Sequence, residues 1–170
     1  ALKSCYTQDL KETDFEVILV DDGSSDGTNT LIESLARSHN NIHVCRHTVN
    51  RGGGAARNTG IKASVGDIIY CLDSDNIFAD HSVLPMLRHL EHNKLDGVVF
   101  YDRRFFYGSN TKKFHSHINH ITNRPIVLSD IFSIADNVLL DNFFFTRAAY
   151  LRTAGYPENH GFDTQCFELR

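Results

Sequence analysis

The chain has 170 residues, of which 22% are charged and 41% hydrophobic, and its formal net charge is −4. This length and composition suit one globular domain with a buried core. The negative charge excludes a broad basic surface of the kind that binds nucleic acid or an anionic membrane.

The first segments alternate between predicted strands and helices. Residues 1 to about 8 are typical of the end of a helix, and the apolar run Glu16–Val20 predicts a short strand. Residues from Thr28 to about Ser38 have apolar side chains at helical spacing, after Ser and Asp residues that can cap a helix. A strand at Ile42–Arg46 follows, and then a glycine-rich segment that leads into a helix over Ala55–Ala63.

The same alternation continues to residue 101. The apolar run Ile68–Leu72 predicts a strand that is buried on both faces. A helix from about His81 to His92 and a strand at Asp96–Tyr101 follow it. Regular alternation of this kind predicts an α/β domain with a mostly parallel central sheet.

The pattern is less regular from residue 102 onward. We predict a hairpin turn at 108–110, a short helix at Ser129–Asp136, a strand at Val138–Phe145 and a helix that Thr146 caps and Gly155 ends. The spacing of His115, His117 and His120 fits no tetrahedral metal site, so we interpret these histidines as solvent-facing.

Two carboxylates follow the central apolar strand. Asp73 and Asp75 are two residues apart, where the strand is expected to end. Ligands of open parallel sheets collect at the carboxyl ends of the strands. Oxygen ligands suit a hard divalent ion such as Mg²⁺ or Mn²⁺, which keeps open positions for phosphates. The simpler alternative is a turn that only terminates the strand.

A second acidic strand end and a glycine-rich helix start accompany this pair. Asp21 and Asp22 follow the first strand, and Gly52–Gly54 precede a predicted helix. A dinucleotide-binding fingerprint does not fit, because Arg57 stands where a glycine is needed. Arg57 can instead reach a carboxylate or a phosphate, or it can form an ordinary surface salt bridge.

The order of the acidic strand ends distinguishes between two classes of enzyme. A phosphatase of the haloacid dehalogenase type also has an Asp-x-Asp motif after an apolar strand, but that strand comes first and the Asp-Asp strand end comes last. Here Asp21 and Asp22 precede Asp73 by some fifty residues. The order therefore argues against such a phosphatase.

Three segments together resemble a known family. Glu16–Thr28, Ala56–Ile61 and Gly66–Asp75 are similar, in order and spacing, to the GT-A glycosyltransferases of family 2. The resemblance implies a GT-A-like, Rossmann-like sandwich, with one domain over 1–170. Within it, 1–101 would bind the nucleotide sugar and 102–170 the acceptor. Family members begin with a further strand that is missing here, so we expect either that the chain is a fragment or that another element fills the gap.

The resemblance also implies an activity and a set of roles. The reaction is transfer of a sugar from a nucleotide diphosphate donor to an acceptor hydroxyl, with inversion. Asp21 or Asp22 would accept hydrogen bonds from the base or the ribose, and Arg57 would support that pocket. Asp73 would lie near the ribose and the ion, and Asp75 would hold the ion, Mn²⁺ or Mg²⁺.

An inverting transfer needs a general base for the acceptor hydroxyl. Family members commonly carry it in a Glu-Asp pair, and the matching position here has the single acid Asp163, which we predict as the base. Asp141 is the reserve candidate and Glu158 a weaker one. The alternative function is a non-catalytic module that binds a sugar nucleotide or a glycan.

The expected partners follow from the resemblance and from the composition. A UDP-sugar is the expected donor, and a glycan or a lipid-linked molecule the expected acceptor. We expect no nucleic acid partner and no membrane span, and a homodimer is left open. The cysteines are widely spaced, with no C-x-x-C pair, which favours a reducing compartment. We therefore expect a cytoplasmic location, in solution or at the inner face of the membrane.

Overall fold

The computed structural model describes residues 1–99, 105–107, 111–113 and 143–158. Within these ranges the helices are α1 (Leu2–Cys5), α2 (Thr28–Ser38), α3 (Gly53–Ala63), α4 (Val83–His92) and α5 (Arg147–Leu151). The strands are β1 (Val17–Asp21), β2 (Ile42–Arg46), β3 (Ile68–Ile69), β4 (Gly97–Val99), β5 (Phe105–Tyr107), β6 (Thr111–Lys113) and β7 (Phe143–Thr146).

The described strands pair in three groups. β1 and β2 are parallel, with Val17 opposite Ile42 and Asp21 opposite Arg46. β7 lies between β3 and β4 and is antiparallel to both. β5 and β6 are antiparallel, and the hairpin turn predicted at 108–110 lies outside the described residues. The α/β prediction is confirmed, whereas the direction of β7 could not be predicted from the sequence.

β7 separates two parts of the hydrophobic core. Successive side chains of a strand point to opposite faces of a sheet. Phe145 packs with Ile61 of α3 and Ile69 of β3, while Phe144 packs with Val83 and Leu90 of α4. Helices α3 and α4 are therefore anchored on opposite faces of the same strand.

The glycine-rich helix α3 packs closely on β1. A Cβ atom on Gly60 would lie 3.2 Å from Cγ2 of Val20, so a larger residue would push the helix away from the strand. The end of α3 is held by the guanidinium group of Arg147, which donates to the carbonyls of Ile61 (3.2 Å), Ser64 (2.9 Å) and Gly66 (2.8 Å). These contacts fix α3 at the centre of the described fold.

Gln8 links the first residues of the chain to the start of α4. This side chain is buried, and its Oε1 accepts from the amides of Ser82 (2.9 Å) and Val83 (2.9 Å). Its Nε2 donates to the carbonyls of Ser4 (2.7 Å) and Ala79 (3.0 Å). Gln8 thereby satisfies amides at a helix start that have no partner within the helix.

The boundaries of several elements differ from the predictions, each for a local reason. α3 begins at Gly53, two residues earlier than predicted, after Gly52 with φ of 87°. α4 begins at Val83 rather than at His81, which has φ of 60°. β3 is limited to Ile68–Ile69, because β7 pairs with only those two residues.

Some predictions lie outside the described residues. These are the helix at Ser129–Asp136, the first part of the strand at Val138–Phe145 and the three histidines between 115 and 120. In the ranges that are described, no helix is both long enough and apolar enough to cross a membrane.

Candidate functional site

The end of β1 carries a buried carboxylate. Asp21 is 4% exposed, and its Oδ1 accepts from the amide of Ser24 at 2.9 Å. Hydrogen bonds from the side chain and the amide of Ser24 lower the pKa of Asp21. The next turn lies close to the chain after β2, since a Cβ atom on Gly23 would be 2.7 Å from the amide nitrogen of Asn50. Asp21 therefore shapes the turn at this strand end.

The carboxylate of Asp22 accepts hydrogen bonds from three groups of the same chain. Its Oδ1 lies 2.6 Å from Nδ1 of His47 and 2.9 Å from the amide of Arg51, and its Oδ2 lies 2.7 Å from the amide of Gly52. Partial burial raises the pKa of Asp22, but these hydrogen bonds outweigh burial and lower it. Asp22 thus holds the residues that lead into α3.

His47 connects this carboxylate to the middle of α3. Its side chain is 6% exposed, and its Nε2 lies 2.8 Å from Oγ1 of Thr59. A hydroxyl group can donate to or accept from a ring nitrogen, so Thr59 suits either protonation state of the imidazole. Both ring nitrogens are therefore used, and β2, the end of β1 and α3 meet at His47.

The carboxylate of Asp73, which follows β3, is paired with Arg57 of α3. Nη2 of Arg57 lies 2.7 Å from Oδ1 of Asp73, and the two side chains are 13% and 30% exposed. Burial lowers the pKa of Arg57, but Asp73 outweighs burial and raises it. The guanidinium carbon of Arg57 also lies 5.6 Å from the ring centroid of Tyr156, within the range of a cation–π contact. The pair is therefore a partly buried ion pair within the site rather than an exposed surface salt bridge.

Asp75 lies in the turn that follows and is exposed. The turn is closed by a hydrogen bond of 3.0 Å from the amide of Asn76 to the carbonyl of Asp73. No group of three or more metal-ligating side chains occurs within the described ranges. Two carboxylates do suit Mg²⁺ or Mn²⁺ when ligand phosphates and water supply the other oxygens. The donor chemistry of Asp73 and Asp75 therefore fits the ion that the sequence predicts.

Helix α3 brings the two acidic strand ends together. Asp22 binds the amide of Gly52 at the start of the helix, and Asp73 binds the side chain of Arg57. Gly52 and Arg57 are five residues apart in the sequence, which corresponds to roughly 7.5 Å along a helix axis. Both acidic ends therefore face the N-terminal half of one helix.

Of the three candidates for a general base, only Glu158 lies within the described residues. Asp163 and Asp141 lie outside the described residues. Glu158 accepts from Nδ2 of Asn58 at 2.8 Å and from Nη2 of Arg51 at 2.9 Å. The hydrogen bond from Asn58 and the charge of Arg51 lower the pKa of Glu158. This carboxylate is poorly suited to accept a proton.

Two polar residues of this region, His47 and Asn58, were not predicted from the sequence to belong to the site. Asn58 had a weak signal, because it is three residues from both Ala55 and Ile61 and so shares their buried face of α3. His47 had none, since it follows β2 in a segment without periodicity. The predictions that Asp21 or Asp22 contacts a base or ribose stay predictions.

Comparison with known proteins adds family information to this geometry. A family model described as "Glycosyl transferase family 2" matches residues 1–154. A poly(ribitol-phosphate) beta-glucosyltransferase of Bacillus spizizenii is 33% identical over 96 residues, which are 56% of this chain and 15% of that protein. The uncharacterized glycosyltransferase EpsJ of Bacillus subtilis is 35% identical over 113 residues, 62% of this chain and 33% of that protein. The chain thus spans a third or less of the length of these relatives.

Solved structures show the same fold at lower identity. The crystal structure of Staphylococcus aureus TarS 1-349 has a TM-score of 0.75 at 23% identity, over 96% of this chain and 47% of that one. The mannosyltransferase PcManGT from Pyrobaculum calidifontis, in complex with GDP-Man and Mn²⁺, has a TM-score of 0.66 at 20% identity, over 96% of this chain and 44% of that one. These similarities establish a shared GT-A fold.

Proposed function

The chain belongs to glycosyl transferase family 2, and on that premise we propose that it transfers a sugar from a nucleotide diphosphate donor to an acceptor hydroxyl. The proposed reaction is metal-dependent and inverts the anomeric carbon. The observation that carries the proposal is the arrangement around α3, where the Asp22–Gly52 and Asp73–Arg57 contacts bring the acids that follow β1 and β3 to one helix.

The nucleoside part of the donor is assigned to the end of β1. Asp22 already accepts three hydrogen bonds, which keep it ionised and hold the backbone of Arg51 and Gly52. Its role is therefore to shape the pocket, and any lone pair left on Oδ2 is available to a base or ribose. Asp21 stabilises the turn that follows β1, and Arg57 fixes the orientation of Asp73.

Asp75 and the second oxygen of Asp73 are assigned to Mn²⁺ or Mg²⁺. Such an ion, when bound, supplies positive charge that stabilises a diphosphate leaving group. Asp75 suits this role because its carboxylate is exposed, and Asp73 suits it because Arg57 occupies only one of its oxygens at 2.7 Å. Arg57 also offsets part of the negative charge of the two acids before an ion arrives.

Asp163 is assigned as the general base, with Asp141 in reserve. A carboxylate in this role accepts the proton of the acceptor hydroxyl as the oxygen attacks the anomeric carbon. The bond from that carbon to the diphosphate breaks on the opposite face, which produces inversion. Glu158 is set aside for this role because Asn58 and Arg51 occupy its two oxygens.

A UDP-sugar is the first donor to test, and a glycan or lipid-linked molecule the expected acceptor. TarS structures in complex with UDP-GlcNAc and with UDP share the fold, as does PcManGT with GDP-Man and Mn²⁺. The described cysteines, Cys5, Cys45 and Cys71, are free thiols. They suit the reducing cytoplasm, where we place the reaction.

The test is release of nucleoside diphosphate from a panel of UDP-sugars and GDP-mannose, with and without Mn²⁺. We expect release to depend on the metal and to fall by a factor of 100 or more, as an order-of-magnitude estimate, in Asp75→Asn. The matched control is Asp67→Asn, the same substitution just before β3 at an exposed position. This control should keep the activity of the unmodified chain.

Other outcomes would refute the proposal. Binding of a nucleotide sugar without turnover of any donor would indicate a binding module instead. Equal activity in Asp75→Asn and Asp67→Asn would remove Asp75 from the metal site.

A further inference from the structure

Asn58 joins α3 to the segment that follows α5. It is 4% exposed. Its Nδ2 donates to the carbonyl of Tyr156 (2.8 Å) and to Oε1 of Glu158 (2.8 Å), and its Oδ1 accepts from the hydroxyl of Tyr150 (2.7 Å) and the amide of Tyr156 (2.9 Å). An amide side chain offers two donors and two acceptor positions. All of them are used here, to hold both α5 and the segment that follows it.

Arg51 forms a second connection to the same segment. Its Nη2 lies 2.9 Å from Oε2 of Glu158, and the side chains are 49% and 33% exposed. Ion pairs at this exposure contribute little alone, so the buried amide of Asn58 carries most of the attachment. Glu158 thus binds α3 through one oxygen and, through the other, the loop that Asp22 holds.

The attached segment lies directly on the Arg57–Asp73 pair. Tyr156 is buried, with its ring centroid 5.6 Å from the guanidinium carbon of Arg57 and its hydroxyl 3.8 Å from Sγ of Cys71. Gly155 has φ of 84°, and a Cβ atom there would lie 3.0 Å from Oδ1 of Asn58. The close approach of this segment to α3 therefore requires glycine.

We propose that Asn58 and Glu158 are positioning residues that fix residues 155–158 against the Arg57–Asp73 pair. They set the point from which the chain continues to Asp163, five residues beyond Glu158. This inference rests on the proposed function, since it gives the attachment a role in sugar transfer. Neither residue is assigned to the nucleotide or the metal, so their loss affects turnover more than nucleotide binding.

The test uses Asn58→Asp, with UDP-glucose and UDP-GlcNAc as donor probes and Mn²⁺ present. This change keeps the accepting oxygen but sets a carboxylate against Oε1 of Glu158 and the carbonyl of Tyr156. We expect kcat for UDP release to fall roughly tenfold, while the Kd of UDP with Mn²⁺ stays within about twofold.

A second substitution distinguishes positioning from general destabilisation. In Asn58→Asp/Glu158→Gln the glutamine amide can donate to the new carboxylate, so kcat should return to within about threefold of Glu158→Gln alone. The matched control is Asn41→Asp. Asn41 donates to the carbonyl of Phe15 (3.1 Å) and accepts from the hydroxyl of Tyr6 (2.9 Å), and neither partner belongs to α3. Its kcat should be unchanged at temperatures where the variant is folded.

Hydrogen exchange of residues 150–158 gives a readout that needs no turnover. We expect faster exchange in Asn58→Asp than in the unmodified chain and slower exchange again in the double variant. Unchanged exchange in Asn58→Asp, an equal loss of kcat and UDP affinity, or no recovery in the double variant would overturn the inference. If the unmodified chain turned over no donor, the proposed function would fail, and the exchange measurement would still decide the attachment.

Discussion

Paired aspartates lie at the end of β1 and in the loop after β3, yet the structure uses the two pairs differently. At the end of β1, Asp22 accepts from His47, Arg51 and Gly52. After β3, Asp73 has one ion pair, and Asp75 is exposed, without a side-chain hydrogen bond to any other described residue. The first pair mainly holds the fold, with a lone pair on Oδ2 of Asp22 left for a ligand, whereas the second pair keeps more of its oxygens for a ligand.

The difference teaches that hydrogen-bond donors, rather than residue type, separate a structural carboxylate from a ligand carboxylate. A partly buried charge is stable only when donors replace the water that it loses. Asp22 has such donors on the backbone next to α3. Asp75 remains in contact with water, and a cation can replace that water at little cost.

The largest expected effect on the free energy of unfolding comes from removing the carboxylate of Asp22. Asp22→Ala leaves the amides of Arg51 and Gly52 and the ring of His47 without their acceptor, and we expect a loss of about 2–4 kcal/mol in the free energy of unfolding. Asp75→Ala should change it by about 0.5 kcal/mol or less. Urea denaturation measures both, and equal losses would contradict the distinction between the two strand ends.

Asp73 is intermediate between Asp22 and Asp75, because its carboxylate has a single partner among the described residues, and substitution of that partner, Arg57, tests its contribution. Arg57→Lys keeps the charge but loses the planar group beside Tyr156, and should cost about 1–2 kcal/mol of unfolding free energy. Arg57→Ala also leaves Asp73 without its cation and should cost about 2–3 kcal/mol. Thermal denaturation at matched pH gives the comparison. If the lysine variant matched the unmodified chain, the contact with Tyr156 would contribute nothing.

Two glycines test how closely the end of β1 approaches the chain before α3. Gly23 and Gly52 have φ of 80° and 87°, so alanine is strained at both. At Gly23 the new Cβ would lie 2.7 Å from the backbone of Asn50, whereas at Gly52 nothing lies within 4 Å. We expect Gly23→Ala to cost about 1–3 kcal/mol more than Gly52→Ala. Equal costs in chemical denaturation would mean that the contact with Asn50 is loose.

The smallest expected effect is a change in pH dependence. The pKa of Asp22 is raised by burial but lowered overall by its hydrogen bonds. A carboxyl group with a lowered pKa in the folded state stabilises the fold above its unfolded pKa of about 4. That stability is lost as the pH falls through the folded value. The advantage of the unmodified chain over Asp22→Asn, measured by urea denaturation, should therefore shrink below about pH 4. A constant difference would contradict the assignment.

The sequence predicted the parts of this site that depend on local pattern. Acids directly after apolar runs identified Asp21, Asp22, Asp73 and Asp75, and periodicity placed α2 and β2 with their observed bounds. Contacts between segments that are far apart in the sequence could not be predicted from such local patterns. Asn58 binds residues about a hundred positions away, and His47 joins β1, β2 and α3. Nothing local in the sequence encodes such partners.

The most direct test of the central claim is Mn²⁺ binding followed by electron paramagnetic resonance, with UDP added in steps. If Asp73 and Asp75 hold an ion that also contacts a diphosphate, the signal of free Mn²⁺ should decrease when UDP and the protein are present together. Asp67→Asn should behave in the same way, and Asp75→Asn should leave the signal at the level of UDP alone. A decrease of the same size in Asp75→Asn would contradict the assignment of the metal to Asp73 and Asp75.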